Sequence, residues 1–283
     1  MQNPFRLFVV SIALLMTVTS CDAQEDASGE DIQKIILHDG GNRVYDLHIP
    51  DAVASDPVPL VIALHGAGDS GPGMKRAAGL DKEADKRGFL VAYPTATGVN
   101  WAEGCDCVRP DIDGVDDPGF VEAMIEDIAA SWPVDPDRIH VIGYSQGGLF
   151  AQRLACEHSN VFAGVATVAG LMSLPVAGRC DPSGSPDILF MHGEEDQVLP
   201  FEGVPSGLYA TLGVYEAFLF WRETYECPFG TERASDDTYE VTRDIRTTPS
   251  CRSGARVRMD ALKGVGHAWP PFAPAEMADF FGL

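Results

Sequence analysis

The sequence predicts an α/β fold in which a mainly parallel β-sheet carries helices on both faces. Five short and continuously apolar runs have the length of strands that are buried on both sides. These runs are residues 60–64, 89–93, 139–144, 165–168 and 188–192. Longer amphipathic stretches separate them, as the helices that connect parallel strands do. Because no repeat or low-complexity linker interrupts the chain, residues 31–283 are expected to form one domain.

The remaining elements follow from periodicity and turn residues. Residues 33–37 and 44–49 alternate apolar and polar side chains around a His-Asp-Gly-Gly-Asn turn, which predicts an antiparallel hairpin. Asp117 is expected to cap a helix whose first residue is Pro118. The other predicted elements are helices at residues 74–87, 117–131, 146–157 and 208–225, a strand at residues 257–262 and a closing segment at residues 276–281.

The first 21 residues are typical of a bacterial lipoprotein signal peptide. A positively charged start precedes an apolar run at residues 7–18 that is too short to span a bilayer comfortably. The small residues before Cys21 resemble a lipobox, so Cys21 is predicted to be lipidated; the alternative is ordinary signal cleavage near Ala23. Residues 22–30 are predicted to be a flexible tether. The chain is therefore expected in the periplasm or at the cell surface.

Composition argues against several kinds of partner. The formal net charge is −22, whereas a nucleic-acid partner needs a basic face, so none is expected. The same charge opposes attraction to anionic lipid, and membrane contact is expected only through a lipid anchor at Cys21. The acidic balance is interpreted as a means of keeping an exported protein soluble. Hydrophobic residues make up 45% of the chain, which is enough to bury a core.

Six further cysteines follow Cys21, and an even number in an exported chain indicates disulfides. Six cysteines allow fifteen pairings, which the residues alone leave open. The simplest proposal pairs neighbours along the chain as Cys105–Cys107, Cys156–Cys180 and Cys227–Cys251. A metal site with the nearby Asp111 and Asp113 is the alternative for the first pair. No second Cys-x-Cys or Cys-x-x-Cys supplies the missing ligands, so no metal is predicted.

A candidate nucleophile lies in residues 143–147, which read Gly-Tyr-Ser-Gln-Gly. A strand directly precedes this segment and a helix directly follows it. A serine on such a sharp turn projects its hydroxyl above the sheet, and the flanking glycines allow the backbone to approach closely. A plain glycine-rich turn is the alternative interpretation. The context favours Ser145 as a nucleophile.

A serine hydroxyl needs a base to remove its proton. In folds with this turn the acid and then the histidine follow the serine along the chain, which leaves His158, His192 and His267. His158 is expected to be exposed, and His192 at a strand end is expected to be structural. His267 lies in a glycine-containing loop after a late strand and is the predicted base.

The acid that orients the base is expected in residues 191–200, after the strand at residues 188–192. Asp196 stands before a Gln-Val-Leu-Pro turn, and Glu194 and Glu195 compete with it. We predict Asp196, with Glu195 as the reserve. Its carboxylate would accept the second ring N–H of the histidine and stabilise the imidazolium.

Acyl transfer also requires donors for the oxyanion. The amide of Gln146, directly after the nucleophile, is one predicted donor, and the amide of Ala67 in the loop after the early strand is the other. Tyr144, Trp101 and Trp269 are candidates for the substrate pocket; a place in the core is the equally weighted alternative for these aromatic side chains.

Five segments, taken in order, resemble one family. They are residues 59–66 (Pro-Leu-Val-Ile-Ala-Leu-His-Gly), 115–120 (Val-Asp-Asp-Pro-Gly-Phe), 143–148 (Gly-Tyr-Ser-Gln-Gly-Gly), 192–196 (His-Gly-Glu-Glu-Asp) and 266–270 (Gly-His-Ala-Trp-Pro). Together they resemble the exported feruloyl or acetylxylan esterase and polyhydroxybutyrate depolymerase family over about residues 33–282.

That resemblance implies an α/β-hydrolase fold, the triad named above, an ester substrate and no cofactor. It also implies disulfides between Cys156 and Cys180 and between Cys227 and Cys251. Pro118 departs from the family, which usually has valine there. The short segment after His267 predicts no appended polymer-binding module, which favours soluble fragments over solid polymer as substrate.

Three functional hypotheses follow. The leading one is a serine carboxylic-ester hydrolase that forms an acyl-enzyme on Ser145 and acts on feruloylated or acetylated sugars or on short hydroxyalkanoate esters. A serine peptidase related to prolyl oligopeptidase shares the motif, but such enzymes usually carry a propeller domain. A non-catalytic binding protein on a hydrolase scaffold would be expected to lack a triad residue, and all three are present.

Overall fold

The computed structural model describes residues 29–53, 56–236 and 239–283. The predicted signal peptide, Cys21 and residues 22–28 of the predicted tether lie outside these ranges. Residue 30, at the end of that predicted tether, is already the first residue of a strand. In the described part of the chain, no helix combines the length and apolar character needed to cross a bilayer.

A ten-stranded sheet forms the centre of the molecule, and two short strands pair beside it. The strands are β1 (Glu30–His38), β2 (Gly41–Ile49), β3 (Val58–Leu64), β4 (Leu90–Pro94), β5 (Val134–Tyr144), β6 (Gly164–Val168), β7 (Met172–Ser173), β8 (Asp187–Gly193), β9 (Thr211–Leu212), β10 (Glu232–Asp236), β11 (Arg243–Thr247) and β12 (Val257–Leu262). The order across the sheet is β1-β2-β4-β3-β5-β6-β8-β12-β11-β10. The six strands from β4 to β12 are mutually parallel, and antiparallel strands extend both edges.

Helices cover both faces of this sheet. They are α1 (Gly71–Ala78), α2 (Leu80–Arg87), α3 (Arg109–Asp113), α4 (Asp117–Ala129), α5 (Gln146–Glu157), α6 (Leu174–Arg179), α7 (Val214–Thr224) and α8 (Ala273–Phe281). Alternate residues of the strands enter separate cores: Leu60 packs in the core beneath α4, α5 and α7, whereas Val61 packs in the core beneath α1, α2 and α8. Burial on both faces explains why the central strands are continuously apolar.

The predicted hairpin is confirmed at the first edge. Strand β1 pairs antiparallel with β2, and Asp39 and Gly40 form the turn between them. Both turn residues have positive φ, 47° and 73°, as a two-residue hairpin turn of the right twist requires.

The single helix predicted at residues 74–87 is wrong. Two helices, α1 and α2, occupy this region because Gly79 adopts φ 67° and ψ 20°, which ends one helix and redirects the chain into the next. Helix α1 begins earlier than expected, at Gly71, where the Ser70 hydroxyl accepts a hydrogen bond from the Gly73 amide.

Two predicted helix starts also change. Helix α4 is capped by Asp116, whose carboxylate accepts from the Gly119 amide, so Asp117 is the first helical residue and not the cap. The helix predicted from residue 208 begins only at Val214, because the preceding residues form strand β9 against β7.

Strands β10 and β11 had no counterpart in the prediction. Their side chains are mostly polar or charged, and they form the second edge of the sheet, where a continuous apolar run is not required.

Three disulfides join neighbouring cysteines. The structure contains Cys156–Cys180 and Cys227–Cys251, the pairs that the resemblance implies, and also Cys105–Cys107. Within each pair, the two sulfur atoms are bonded to each other.

Candidate active site

Three loops meet at one edge of the sheet. Ser145 follows β5, Asp196 follows β8 and His267 follows β12. Because β5, β6, β8 and β12 are parallel neighbours, their carboxyl ends lie at the same edge, where the loops of such sheets form ligand sites. The topology thus brings together three residues that are far apart in the sequence.

Ser145 occupies a strained turn between β5 and α5. Its φ is 54° and its ψ is −120°, a conformation that non-glycine residues rarely adopt. The flanking glycines permit the turn: a Cβ on Gly143 would lie 2.1 Å from the Gly147 carbonyl oxygen, and a Cβ on Gly147 would lie 2.4 Å from that of Leu64. The motif is therefore a packing requirement of this strand-to-helix turn.

A continuous hydrogen-bond chain connects the three side chains. The Nε2 atom of His267 lies 2.9 Å from the Ser145 Oγ, and its Nδ1 lies 2.8 Å from the Asp196 Oδ2. An ionised carboxylate only accepts, so Nδ1 carries the proton in this pair and Nε2 is left to accept from the serine hydroxyl. This is the geometry that a nucleophile, its base and an orienting acid require.

Asp196 is buried and hydrogen-bonded on both oxygens. Its Oδ1 accepts from the amides of Val198 and Leu199 at 2.8 and 2.9 Å. Burial alone raises the pKa of Asp196, but hydrogen bonds from His192, His267 and these two amides outweigh that effect and hold the pKa well below its usual range. The carboxylate therefore stays ionised. The rival candidates Glu194 and Glu195 are exposed.

His192 contacts Asp196 directly, whereas the sequence indicated only a structural role for it. Its Nε2 lies 2.8 Å from the Leu199 carbonyl oxygen and 3.2 Å from the Asp196 Oδ2. A carbonyl oxygen only accepts, so Nε2 carries a proton that both oxygens share. His192 is a positioning residue for Asp196; its place at the end of β8, four residues before the acid, was the available signal.

The two predicted oxyanion donors flank Ser145 in a common cavity. Gln146 is the first residue of α5, so its amide has no acceptor within the helix. Ala67 lies on the loop after β3, and both residues line the same cavity as Ser145. Both residues thus lie near Ser145, and their role as oxyanion donors remains a prediction.

A buried histidine holds the Ala67 loop in place. The Nε2 atom of His65 accepts from the Ala96 amide at 3.1 Å, which leaves Nδ1 to donate to the Gly66 carbonyl at 2.8 Å. Burial lowers the pKa of His65, although the Gly66 carbonyl and nearby carboxylates oppose it. A neutral ring suits these two opposite hydrogen-bonding roles.

A cavity of about 420 Å³ opens beside Ser145. Its wall is mainly apolar, with a small number of polar groups, as is typical of small-molecule sites. The lining residues are Ala67, Asn100, Glu103, Cys105, Val108, Ser145, Gln146, Leu149, Ser173, Val198, Leu199, Val204, Tyr209 and Thr211.

The three aromatic candidates for the substrate pocket are not among the residues that line this cavity. Trp101 is fully buried in the core, where its ring stacks on Phe150 at 5.1 Å and its indole N–H donates to the His65 carbonyl. Tyr144 and Trp269 lie beside His267, with the Tyr144 ring 5.4 Å from the imidazole and 6.1 Å from the Trp269 ring. They pack around the histidine, and their place in the substrate pocket remains a prediction.

Sequence reasoning missed two acidic residues near the cavity. Glu103 lines it, and Asp117 is a buried anchor that accepts from the Ala102 amide at 2.7 Å and pairs with Arg43 at 2.5 Å. Asp117 belongs to the Asp-Asp-Pro-Gly-Phe segment that carried the resemblance, so that motif was the signal. For Glu103 the sequence had none.

Two groups of potential metal donors exist in the described residues, and both are engaged otherwise. In the first, Glu103 lies near Cys105 and Cys107, whose sulfurs form a disulfide. In the second, which is Asp31, His48 and Asp81, the Lys75 ammonium binds both carboxylates at 2.6 Å. Neither arrangement offers the free, negatively charged donor set of a metal site.

The sheet order and the placement of functional loops at its edge are those of the α/β-hydrolases. An acetyl xylan esterase from Aspergillus awamori superposes with a TM-score of 0.68 and 18% sequence identity, over 90% of this chain and 99% of that one. At this identity the likeness shows the fold alone. The predicted α/β-hydrolase fold is confirmed.

Sequence comparison narrows this class to a family. The profile of the Esterase PHB depolymerase family matches residues 43–183. The protein NocK of Nocardia uniformis subsp. tsuyamanensis is 33% identical over 259 residues, which are 83% of this chain and 74% of NocK. The chain belongs to the PHB depolymerase esterase family, as the resemblance predicted.

One of the relatives is much longer than this chain. The bifunctional acetylxylan esterase/xylanase XynS20E of Neocallimastix patriciarum is 26% identical over 238 residues, which cover 81% of this chain and 31% of that enzyme. The chain thus spans less than a third of XynS20E. Family membership supports carboxylic-ester hydrolysis as the activity.

Proposed function

We propose that this protein is a serine carboxylic-ester hydrolase in which Ser145 is the nucleophile, His267 the general base and Asp196 the acid that orients it. The supporting observation is the unbroken hydrogen-bond chain from the Asp196 carboxylate through His267 to the Ser145 hydroxyl. A hydroxyl and an imidazole in this relation serve acyl transfer without a cofactor.

In the acylation step, the Ser145 Oγ attacks the ester carbonyl carbon while the His267 Nε2 takes the hydroxyl proton. The carbonyl oxygen becomes an oxyanion, which the amides of Ala67 and Gln146 would stabilise; the N-terminus of α5 also favours negative charge there. The imidazolium is stabilised by the ionised Asp196.

The intermediate collapses when the carbon–oxygen bond to the alcohol breaks. His267 returns its proton to the departing oxygen, so the alcohol leaves neutral and an acyl-enzyme remains on Ser145. Water then repeats the sequence: His267 takes its proton, hydroxide adds to the acyl carbon, and the acid is released as the serine regains its proton.

The proposed substrates are feruloylated or acetylated sugars or short hydroxyalkanoate esters. Membership of the PHB depolymerase family and the similarity to part of a bifunctional acetylxylan esterase/xylanase support this range. Residues 31–283 would form the catalytic domain. We also propose export, because the three disulfides suit an oxidising compartment, with lipidation at Cys21 as the anchor.

Hydrolysis of p-nitrophenyl acetate by the Ser145→Ala variant tests the mechanism. We expect turnover to fall by about 10⁴-fold or more, since the nucleophile is lost, while the fold is retained. A fluorophosphonate probe should label the wild-type protein and leave Ser145→Ala unlabelled.

Ser131→Ala is the matched control. Ser131 is exposed and precedes β5, whereas Ser145 follows the opposite end of that strand. This variant should keep both the label and the activity. Undiminished turnover in Ser145→Ala would refute the assignment, and an unlabelled wild-type protein would favour a non-catalytic binding role.

A further inference from the structure

The loop at residues 101–108 forms one wall of the cavity beside Ser145, and its conformation is firmly held. The Ala102 carbonyl accepts from Arg153 at 2.7 Å, and the Ala102 amide donates to Asp117 at the same distance. The Gly104 carbonyl accepts from Arg179 at 2.8 Å, and the Gly104 amide donates to Asp111 at 2.9 Å. Charged groups thus anchor the backbone on both sides of one residue, Glu103.

The side chain of Glu103 is not fully hydrogen-bonded, unlike the backbone on both sides of it. The residue is 3% exposed and lines the cavity, and its Oε2 has no hydrogen-bond partner within residues 29–53, 56–236 and 239–283. A buried oxygen without a partner costs about 1–3 kcal/mol, so a purely structural role would favour an apolar residue here. The surroundings therefore indicate a group kept for a ligand.

The protonation of this carboxyl suits a neutral ligand. Burial raises the pKa of Glu103 to about 8; a hydrogen bond from Gln146 lowers it in part, and the charge of Asp111 raises it again. At neutral pH the carboxyl is therefore mostly protonated. A protonated carboxyl both donates and accepts, as a hydroxyl group does.

The geometry of the proposed reaction assigns the cavity to the acyl half of the ester. His267 protonates the departing alcohol, so the alcohol must lie on the histidine side of Ser145. The lining of the cavity includes Ser145 and the two proposed oxyanion donors, Ala67 and Gln146, but not His267. The acyl chain that stays on Ser145 would extend into it.

We propose that Glu103 is the specificity residue of the acyl pocket and that it binds a hydroxyl group carried by the acyl chain. This inference rests on the proposed ester hydrolysis and adds the acyl class to it. Two hydroxylated acyl groups share the required chemistry: 3-hydroxyalkanoyl groups, whose hydroxyl is close to the carbonyl, and 4-hydroxycinnamoyl groups, whose phenol is far from it.

Matched ester pairs that differ only in this hydroxyl provide the test. The first pair is p-nitrophenyl 3-hydroxybutyrate and p-nitrophenyl butyrate; the second is methyl 4-hydroxycinnamate and methyl cinnamate. We expect the wild-type enzyme to prefer the hydroxylated member of one pair by about tenfold or more in kcat/KM, the factor typical of one buried hydrogen bond. The pair that shows the preference identifies the acyl class.

Two variants then test whether Glu103 is the cause of this preference for the hydroxylated ester. Glu103→Met keeps the chain length but removes both oxygens, and it should lower kcat/KM about tenfold for the hydroxylated ester while the unsubstituted ester stays within about threefold. Glu103→Gln retains a donor and an acceptor and should keep most of the preference. Asp106→Asn changes an exposed carboxylate in the same loop and should alter neither ester.

The outcomes separate this inference from the proposed function. A wild-type enzyme that hydrolyses both members of each pair equally, or a Glu103→Met variant that lowers both equally, overturns the role of Glu103 and leaves ester hydrolysis intact. A wild-type enzyme that hydrolyses none of the four esters refutes the proposed function, and the inference with it. Because the wild-type comparison needs no variant, poor folding of Glu103→Met does not prevent the test.

Discussion

The two walls of the site differ in how completely their polar side chains are hydrogen-bonded. At the edge formed by β5, β8 and β12, a hydrogen-bond chain joins Ser145, His267 and Asp196, and both Asp196 oxygens have partners. In the loop at residues 101–108, the backbone is anchored on both sides of Glu103, yet one carboxyl oxygen has no partner among the described residues. Proposed catalytic groups are preorganised, whereas the proposed recognition group keeps its bonding capacity for a ligand.

The largest effect is expected on the preorganised wall. His267→Gln removes the proposed base, so kcat on p-nitrophenyl acetate should fall about 10⁴-fold. His158→Gln is the control, because His158 binds Glu122 on the surface, 2.6 Å away, and the variant should retain activity. Equal losses in both variants would show that the effect comes from general destabilisation.

The unpaired oxygen predicts a pH-dependent stability. The folded-state pKa of Glu103, about 8, exceeds its ordinary value of 4.5, so its contribution to stability is fully present below pH 4.5 and is lost as the pH rises through 8. The glutamine variant has no such proton to lose. As the pH rises from 4.5 to 8, the free energy of unfolding of Glu103→Gln should therefore increase relative to that of the wild type by up to about 4 kcal/mol.

Urea unfolding of wild type and Glu103→Gln at pH 5, 6, 7 and 8 measures this difference. A stability difference that does not change across this range would mean that Glu103 is as well solvated as a surface carboxylate. The proposed contrast between the two walls would then be wrong.

The anchors of the loop offer the next test. Asp117→Asn leaves the buried Arg43 guanidinium without its charged partner, and the free energy of unfolding should fall by about 3 kcal/mol. Urea unfolding measures the loss. Asp113→Asn, which changes an exposed carboxylate paired with Arg109, should have little effect. An unchanged stability in Asp117→Asn would show that this anchor is dispensable.

The smallest effect is expected for His192, which contacts the Asp196 carboxylate. His192→Leu removes a hydrogen bond to Asp196, so kcat should fall about tenfold with KM unchanged, since substrate contacts are kept. His192→Gln restores a donor and should recover most of the loss. If both variants behave alike, the volume of the side chain and not its N–H is what matters.

Much of the fold could be predicted because local patterns and global packing agree. The hairpin at the first edge, helix α5 and strand β12 follow directly from periodicity and turn residues. Strand β10 could not be predicted, because an edge strand of charged residues carries no apolar signal. The break at Gly79 also escaped prediction, since an isolated glycine is tolerated within many helices.

The sequence alone determined the strand-to-helix turn at Ser145 and the order of the loops that carry Ser145, Asp196 and His267. Gly143, Ser145 and Gly147 are constrained locally, because the turn requires close backbone approach, and chain order restricted the choice of His267 and Asp196. These inferences needed only neighbours in the chain and the topology of a parallel sheet.

Only the tertiary structure decided which side chains line the cavity beside Ser145. Trp101 and Glu103 are two residues apart; the sequence left Trp101 equally open to the pocket and to the core, and it carried no signal for Glu103. Packing decided both: Trp101 stacks in the core, and anchors from distant helices hold the loop that places Glu103 in the cavity lining. The reason is physical, because burial depends on which elements cover a residue, and those elements are remote in the sequence.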